Sequence, residues 1–222
     1  MQSEYFEING KPFHARTAGQ KGAPLLLFLH GFQEYCGAWE KILPAFADSY
    51  FCVAPDQRGY GQSWAPLDVS EYTTSKLASD MAALIAHLGC GPVTVIGHDW
   101  GAAVAYGLAM LTPHLVDRLI ILNGVHPAPF QREMAAGGAQ SEASQYITYL
   151  REDGSENRLA ANDYAQLLKL FSAKMDLSWL TGDRLAAYKR EWSRPNRLRG
   201  MVNWYRASPL RVAKPGVPLT DL

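Results

Sequence analysis

The stretch VTVIGHDWGAA, residues 93–103, sets a carboxylate, Asp99, between Gly97 and Gly101, where a β-branched run gives way to small, helix-compatible residues. A tight turn from strand to helix with glycines two positions either side of its centre exposes the central side chain while helix and strand pack closely. A carboxylate in that place is already ionised at pH 7 and needs no base to become a nucleophile. Attack on an ester carbonyl would give a high-energy anhydride, so the productive electrophile is a saturated carbon bearing a leaving group, as in an epoxide or an alkyl halide. Asp is also a preferred first residue of helices, and Asp99 could simply cap the helix beginning near Trp100. The paired glycines, and a separate His30-Gly31-Phe32 loop after another strand-like run, favour chemistry over capping.

The elements that must hold these residues are legible in the apolar pattern. SEYFEI and FHART flank Asn9-Gly10-Lys11-Pro12 and read as a hairpin. Pro24 to Leu29 is an apolar run too short for a helix, consistent with a strand covered on both faces, and it leads straight into His30-Gly31-Phe32. Residues 38–48 show helical spacing around Pro44, residues 51–54 and 93–96 read as buried strands, and 75–88 and 102–111 as helices. With a further strand at 119–122, the first 123 residues are expected to alternate strand and helix in a parallel α/β sheet. From Pro127 to Ala207 the strand signal vanishes and helical spacing rich in aromatics takes over, at 146–150, 164–171, 185–192 and 198–205. The expected organisation is therefore a core over 1–123, a helical cap over 124–207 and an extended, Pro-rich linker over 208–222.

Composition narrows the partners. The 222 residues carry 21 Lys+Arg against 21 Asp+Glu and no basic block, which disfavours nucleic acid and anionic membrane surfaces. No apolar run approaches the roughly 20 residues of a membrane helix, and the first residues have neither a basic nor an apolar export signal, so a cytoplasmic location is expected. Cys36, Cys52 and Cys90 are scattered and read as free thiols. No phosphate-cradling loop or metal-ligand cluster is visible, so neither cofactor nor metal is expected, and the oligomeric state is left open.

LFLHGFQE, APDQRGYGQS, GHDWGA and GMVNWYRA, taken in order along the chain, resemble the α/β-hydrolase superfamily, specifically its epoxide hydrolases and the related haloalkane dehalogenases. The resemblance implies Asp99 as nucleophile and an oxyanion hole made by the backbone N–H groups of Phe32 and Trp100. It further implies two cap tyrosines that assist a departing epoxide oxygen: Tyr205 of NWYRA, and Tyr146 of SQYITYLRE with Tyr149 as a substitute. Phe32, Trp100, Val125, Tyr146 and Tyr205 would then line a cavity for a small apolar substrate. His98 is expected to pack under the turn, His30 to brace the oxyanion loop, His126 to lie at the root of the cap, and Asp56 and Arg58 to hold a turn together. Gln33 stands where epoxide hydrolases usually carry Pro, so that turn is expected to be built differently. Trp100 keeps halide chemistry open, since related dehalogenases bind halide with an indole at that place, while Phe32 replaces the Asn that many of them use. Asn123, where some relatives place an acid, is not ionisable. The family's later acid and water-activating His find no counterpart before Leu222, which reads as the end of a fragment of a longer polypeptide, or as a product that has lost turnover. A non-catalytic ligand-binding member of the same fold is the rival of another class.

Overall fold

The computed structural model describes residues 1–172 and 175–220, so the last two positions of the expected linker lie outside the described residues. Strands β1 (Gln2–Ile8) and β2 (Lys11–Ala18) form the hairpin, turning through Asn9 and Gly10 at φ of 53° and 70°. Positive φ at both central residues matches the right-handed twist of the strands they join. Strand β3 (Leu25–Leu29) is buried at every position, as is β4 (Phe51–Pro55). Then come helix α1 (Thr74–His87), strand β5 (Val93–His98), helix α2 (Trp100–Leu111) and strand β6 (Val116–Leu122). The six strands lie in the order β1-β2-β4-β3-β5-β6, with β4, β3, β5 and β6 parallel and the hairpin antiparallel at one side. This is an α/β sheet, mostly parallel.

The regular alternation expected over the first 123 residues does not hold between β3 and β4. Residues 38–48 form no α-helix; the segment is two short 3-10 pieces, Cys36–Trp39 and Leu43–Ala45. Pro44 lies inside the second of them, where its ring forbids the hydrogen bond an α-helix would need, so apolar spacing is met by tight turns instead. Trp39 and Leu43 are still buried against Phe28 and Cys52, so the burial was readable and the backbone was not.

Beyond β6 the chain is helical: α3 (Pro127–Ala135), α4 (Ala139–Ala143), α5 (Gln145–Arg151), α6 (Ser155–Ser172), α7 (Gly182–Trp192) and α8 (Arg197–Ala207). The α6 span is broken in the middle, where Asn162, Asp163 and Tyr164 all take positive φ. Indole N–H groups dock these helices on the sheet's carboxyl edge, Trp204 donating to the Arg58 carbonyl at 2.9 Å and Trp192 to the Gln33 carbonyl at 2.7 Å. Both indoles bury apolar area while their polar N–H groups are satisfied. Asp56 and Arg58 do hold the intervening turn. Arg58 forms a two-pronged pair with Asp80, and Asp56 accepts from His14 Nδ1 and from the Cys36 and Gln62 N–H groups. Burial alone would raise the Asp56 pKa, but these donors hold it at about 2. His14, Cys36 and Asp56 form a buried cluster of metal-ligand types, already knitted together by these hydrogen bonds. Cys36 and Cys52 are buried free thiols and Cys90 is a half-buried one.

Candidate active site

Strands β3 and β5 run side by side and in parallel, with Leu29 opposite Gly97, so the segments leaving their carboxyl ends meet. In open α/β sheets this is where ligands bind. Asp99 sits in the turn between β5 and α2 at φ 51° and ψ −118°, a conformation that costs a non-glycine residue of order 1–3 kcal/mol and is found where function requires it. The flanking glycines are required by contact. A methyl on Gly101 would lie 2.2 Å from the Leu29 carbonyl oxygen, and one on Gly97 would lie 2.6 Å from the Gly101 carbonyl oxygen. The Asp99 side chain makes no capping hydrogen bond to α2, so the alternative in which it merely caps the helix lacks its defining contact.

The carboxylate instead faces the loop after β3. The Phe32 N–H donates to Asp99 Oδ1 at 2.8 Å, and the Trp100 N–H also reaches the carboxylate. The two backbone donors named from the sequence therefore converge on one acid. Burial raises the Asp99 pKa above the usual carboxylate value, opposed by those two N–H groups and by the neighbouring His98.

Aromatic rings from the helical segment close over this point. Tyr205, in α8, packs edge to face against Phe32 at 5.0 Å, Trp100 at 5.1 Å and Tyr146 at 6.0 Å between ring centroids. Tyr205 is 2 % exposed, and burial, with Tyr146 and Asp99 next, pushes its phenol well up. Tyr146 is 38 % exposed and is pushed up to about 12 by desolvation and by Asp99. The remaining expectations fare differently. Tyr149 turns away to Arg158, which lies over its ring and bonds its hydroxyl. Val125 stands 56 % exposed beyond β6. His126 accepts from the Ala128 N–H at the start of α3 and packs edge to face against Tyr106. His30 does brace its loop, through the Gly31 carbonyl and the Gln57 N–H. A cleft of about 460 Å3 lies elsewhere, between Trp192–Arg199 and the first half of α6.

Two neighbours were missed in the sequence, and for a third only its departure from Pro was legible. Glu34 accepts from the Gly31 N–H at 2.7 Å and from His98 Nδ1 at 2.9 Å, so His98 pairs with an acid instead of packing passively. That pairing lowers the Glu34 pKa and raises that of His98, in each case against the effect of burial. Tyr60 is fully buried, packs on His30 and Trp204, and its hydroxyl finds no protein partner among the described residues. Burial, with the Asp99 charge next, pushes its phenol up. Gln33 is the third.

Residues 24–198 match the family model for the alpha/beta hydrolase fold. The chain belongs to that family. Among curated relatives of this α/β-hydrolase, the AB hydrolase superfamily protein YfhM of Bacillus subtilis (strain 168) is 34 % identical over 93 % of the chain and 73 % of its own length. Epoxide hydrolase 4 of Mus musculus is 34 % identical over 89 % of the chain and 57 % of its own length. A solved structure described among novel epoxide hydrolases from metagenomes of hot environments superposes with a TM-score of 0.89 at 36 % identity, covering 98 % of this chain and 74 % of that one. The Bacillus megaterium epoxide hydrolase with an inhibitor gives 0.85 at 31 % identity, covering 92 % of this chain and 71 % of that one. These relatives put the α/β-hydrolase in the epoxide hydrolase group. The chain spans from about two fifths to three quarters of the length of the curated relatives it matches.

Proposed function

We propose that Asp99 opens epoxides by forming an alkyl ester, with Tyr205 and Tyr146 assisting the ring oxygen, and that α3 to α8 act as the cap over this chemistry. The observation that carries the reading is the carboxylate itself. It is strained, relieved of helix capping, held by backbone N–H groups, and covered by two phenols that remain protonated at neutral pH. In the step, an Asp99 oxygen forms a bond to one epoxide carbon as that carbon's bond to the ring oxygen breaks. The electron pair goes to the ring oxygen, which takes a phenolic proton or is stabilised by the two O–H donors. A halide would need only N–H dipoles, so paired hydroxyls over the carboxylate favour the epoxide. The substrate is a small molecule with an apolar body, matched to Phe32, Trp100 and the tyrosine rings. The same N–H groups of Phe32 and Trp100 would receive the oxyanion when water attacks the ester carbon.

Hydrolysis also needs a base for that water. His30 is held at both ring nitrogens and His98 pairs with Glu34, so the 222-residue chain is expected to open an epoxide once and retain the ester. Intact mass spectrometry after mixing with styrene oxide tests this. The expected result is one adduct, mapped to Asp99, lost in Asp99→Ala and formed about a hundredfold more slowly in Tyr205→Phe. No adduct at Asp99, or an adduct that survives Asp99→Ala, would refute the assignment.

No helix among the described residues is long and apolar enough to cross a membrane. The even charge balance favours a dissolved substrate, and the cytoplasmic location read from the sequence is kept as part of this proposal.

A further inference from the structure

Gln33 has a φ of +69°, a value that proline, fixed near −65°, cannot adopt. The residue that departs from the epoxide hydrolase pattern is therefore the centre of a differently built turn. It is 3 % exposed, so its polar groups must be satisfied within the protein. The side-chain Nε2 donates to the Leu167 carbonyl of α6 at 3.0 Å, and its own carbonyl accepts from the Trp192 indole of α7 at 2.7 Å. One residue beside the Phe32 donor is thereby tied to two cap helices. From below, the same loop is tied to the core through Glu34, which holds the Gly31 N–H and His98. The Phe32 N–H, bonded to Asp99 Oδ1, lies between these two anchors.

A left-handed residue other than glycine costs roughly 1–2 kcal/mol and persists only where its surroundings impose it. Here the surroundings are the two cap hydrogen bonds. Donors to a developing oxyanion act within a narrow range, about 2.7–3.1 Å, so a small rotation of this loop changes what Phe32 can do.

We infer that Gln33 is a positioning residue that couples the cap to the Asp99 site: its bridges to Leu167 and Trp192 set where the Phe32 N–H points. The seating of α6 and α7 is then sensed at the carboxylate. The inference rests on Asp99 as the reacting carboxylate. A Gln33 that only filled buried space would be replaceable by any side chain of its size.

Gln33→Met keeps the size and removes the donor; Gln33→Gly adopts the positive φ freely and separates the loss of the amide from backbone strain. Two measurements on the full chain decide. Single-turnover ester formation with styrene oxide, followed by intact mass, should show a limiting rate about tenfold lower in both variants with the half-saturating concentration unchanged. Hydrogen exchange should be faster at the Phe32 amide in both. Wild-type limiting rates and wild-type Phe32 protection in the two variants, whatever happens to their unfolding midpoints, would overturn the inference. If the wild-type protein takes up no epoxide, the nucleophile assignment fails by itself, and Phe32 exchange alone then decides: accelerated exchange supports the coupling and unchanged exchange rejects it.

Discussion

At Asp99 two requirements conflict. The carboxylate must be charged to attack carbon, yet burial disfavours that charge and raises its pKa. The folded protein therefore binds this proton more tightly than the unfolded chain does. Stability is greatest below the unfolded value, about 4, and declines as pH rises through the raised folded value. Asp99→Asn should consequently unfold at a higher temperature than wild type at pH 7, and the gain should disappear as pH falls toward 4; thermal melts across that range check it. Reactivity should run the other way. Ester formation should fall about tenfold per pH unit below an inflection lying above the ordinary carboxylate range. A variant that gains stability only where Asp99 is ionised, and loses the adduct at every pH, would show that the strain and desolvation at this residue serve chemistry.

The elements show what was legible and why. Strands β3 and β5 and helix α2 could be placed because each is an apolar run closed by glycine or proline, and the Asp99 turn is a local pattern of five residues. Glu34 and Tyr60 could not, and of Gln33 only the altered turn could, because what gives these residues meaning comes from far along the chain: Gln33 meets Leu167 and Glu34 meets His98. Helices α3 and α4 were missed for a related reason. They bury little apolar surface of their own and are fixed by tertiary bonds, Ser141 Oγ to the Ala213 carbonyl and the Ala213 N–H to the Met134 carbonyl. Arg151, in α5, does the same for α8. Its guanidinium donates to the carbonyls of Tyr205, Ser208 and Leu210 at 2.8, 3.0 and 2.7 Å, at and just beyond the end of the helix. Arg151→Met retains the apolar stem and removes every one of these donors. It should lower stability by about 2 kcal/mol, read from the urea midpoint, and speed amide exchange in α8 before any other helix. An unchanged midpoint would mean that water replaces the guanidinium at no cost.

For the whole molecule, the exposed apolar surface is unevenly spread. Among the described residues β6 pairs with β5 along one edge only, and its residues are half-buried or exposed. Ile120 and Leu122 are 45 % and 42 % exposed, and Met110 and Leu111 at the end of α2 are 56 % and 59 % exposed. An edge strand offers unpaired backbone groups to any other chain, and apolar side chains beside it make that pairing favourable. The chain's 21 positive and 21 negative side chains leave no net repulsion to oppose it. The 222-residue chain should therefore self-associate as its concentration rises. Ile120→Lys combined with Leu111→Lys places charge on both parts of the patch and should keep the protein monomeric, with ester formation at Asp99 unchanged because neither side chain belongs to the site. Sedimentation velocity across a concentration series measures this. A wild-type chain that stays monomeric throughout would show that β6 is protected by its twist and its neighbours, despite the apolar surface it exposes.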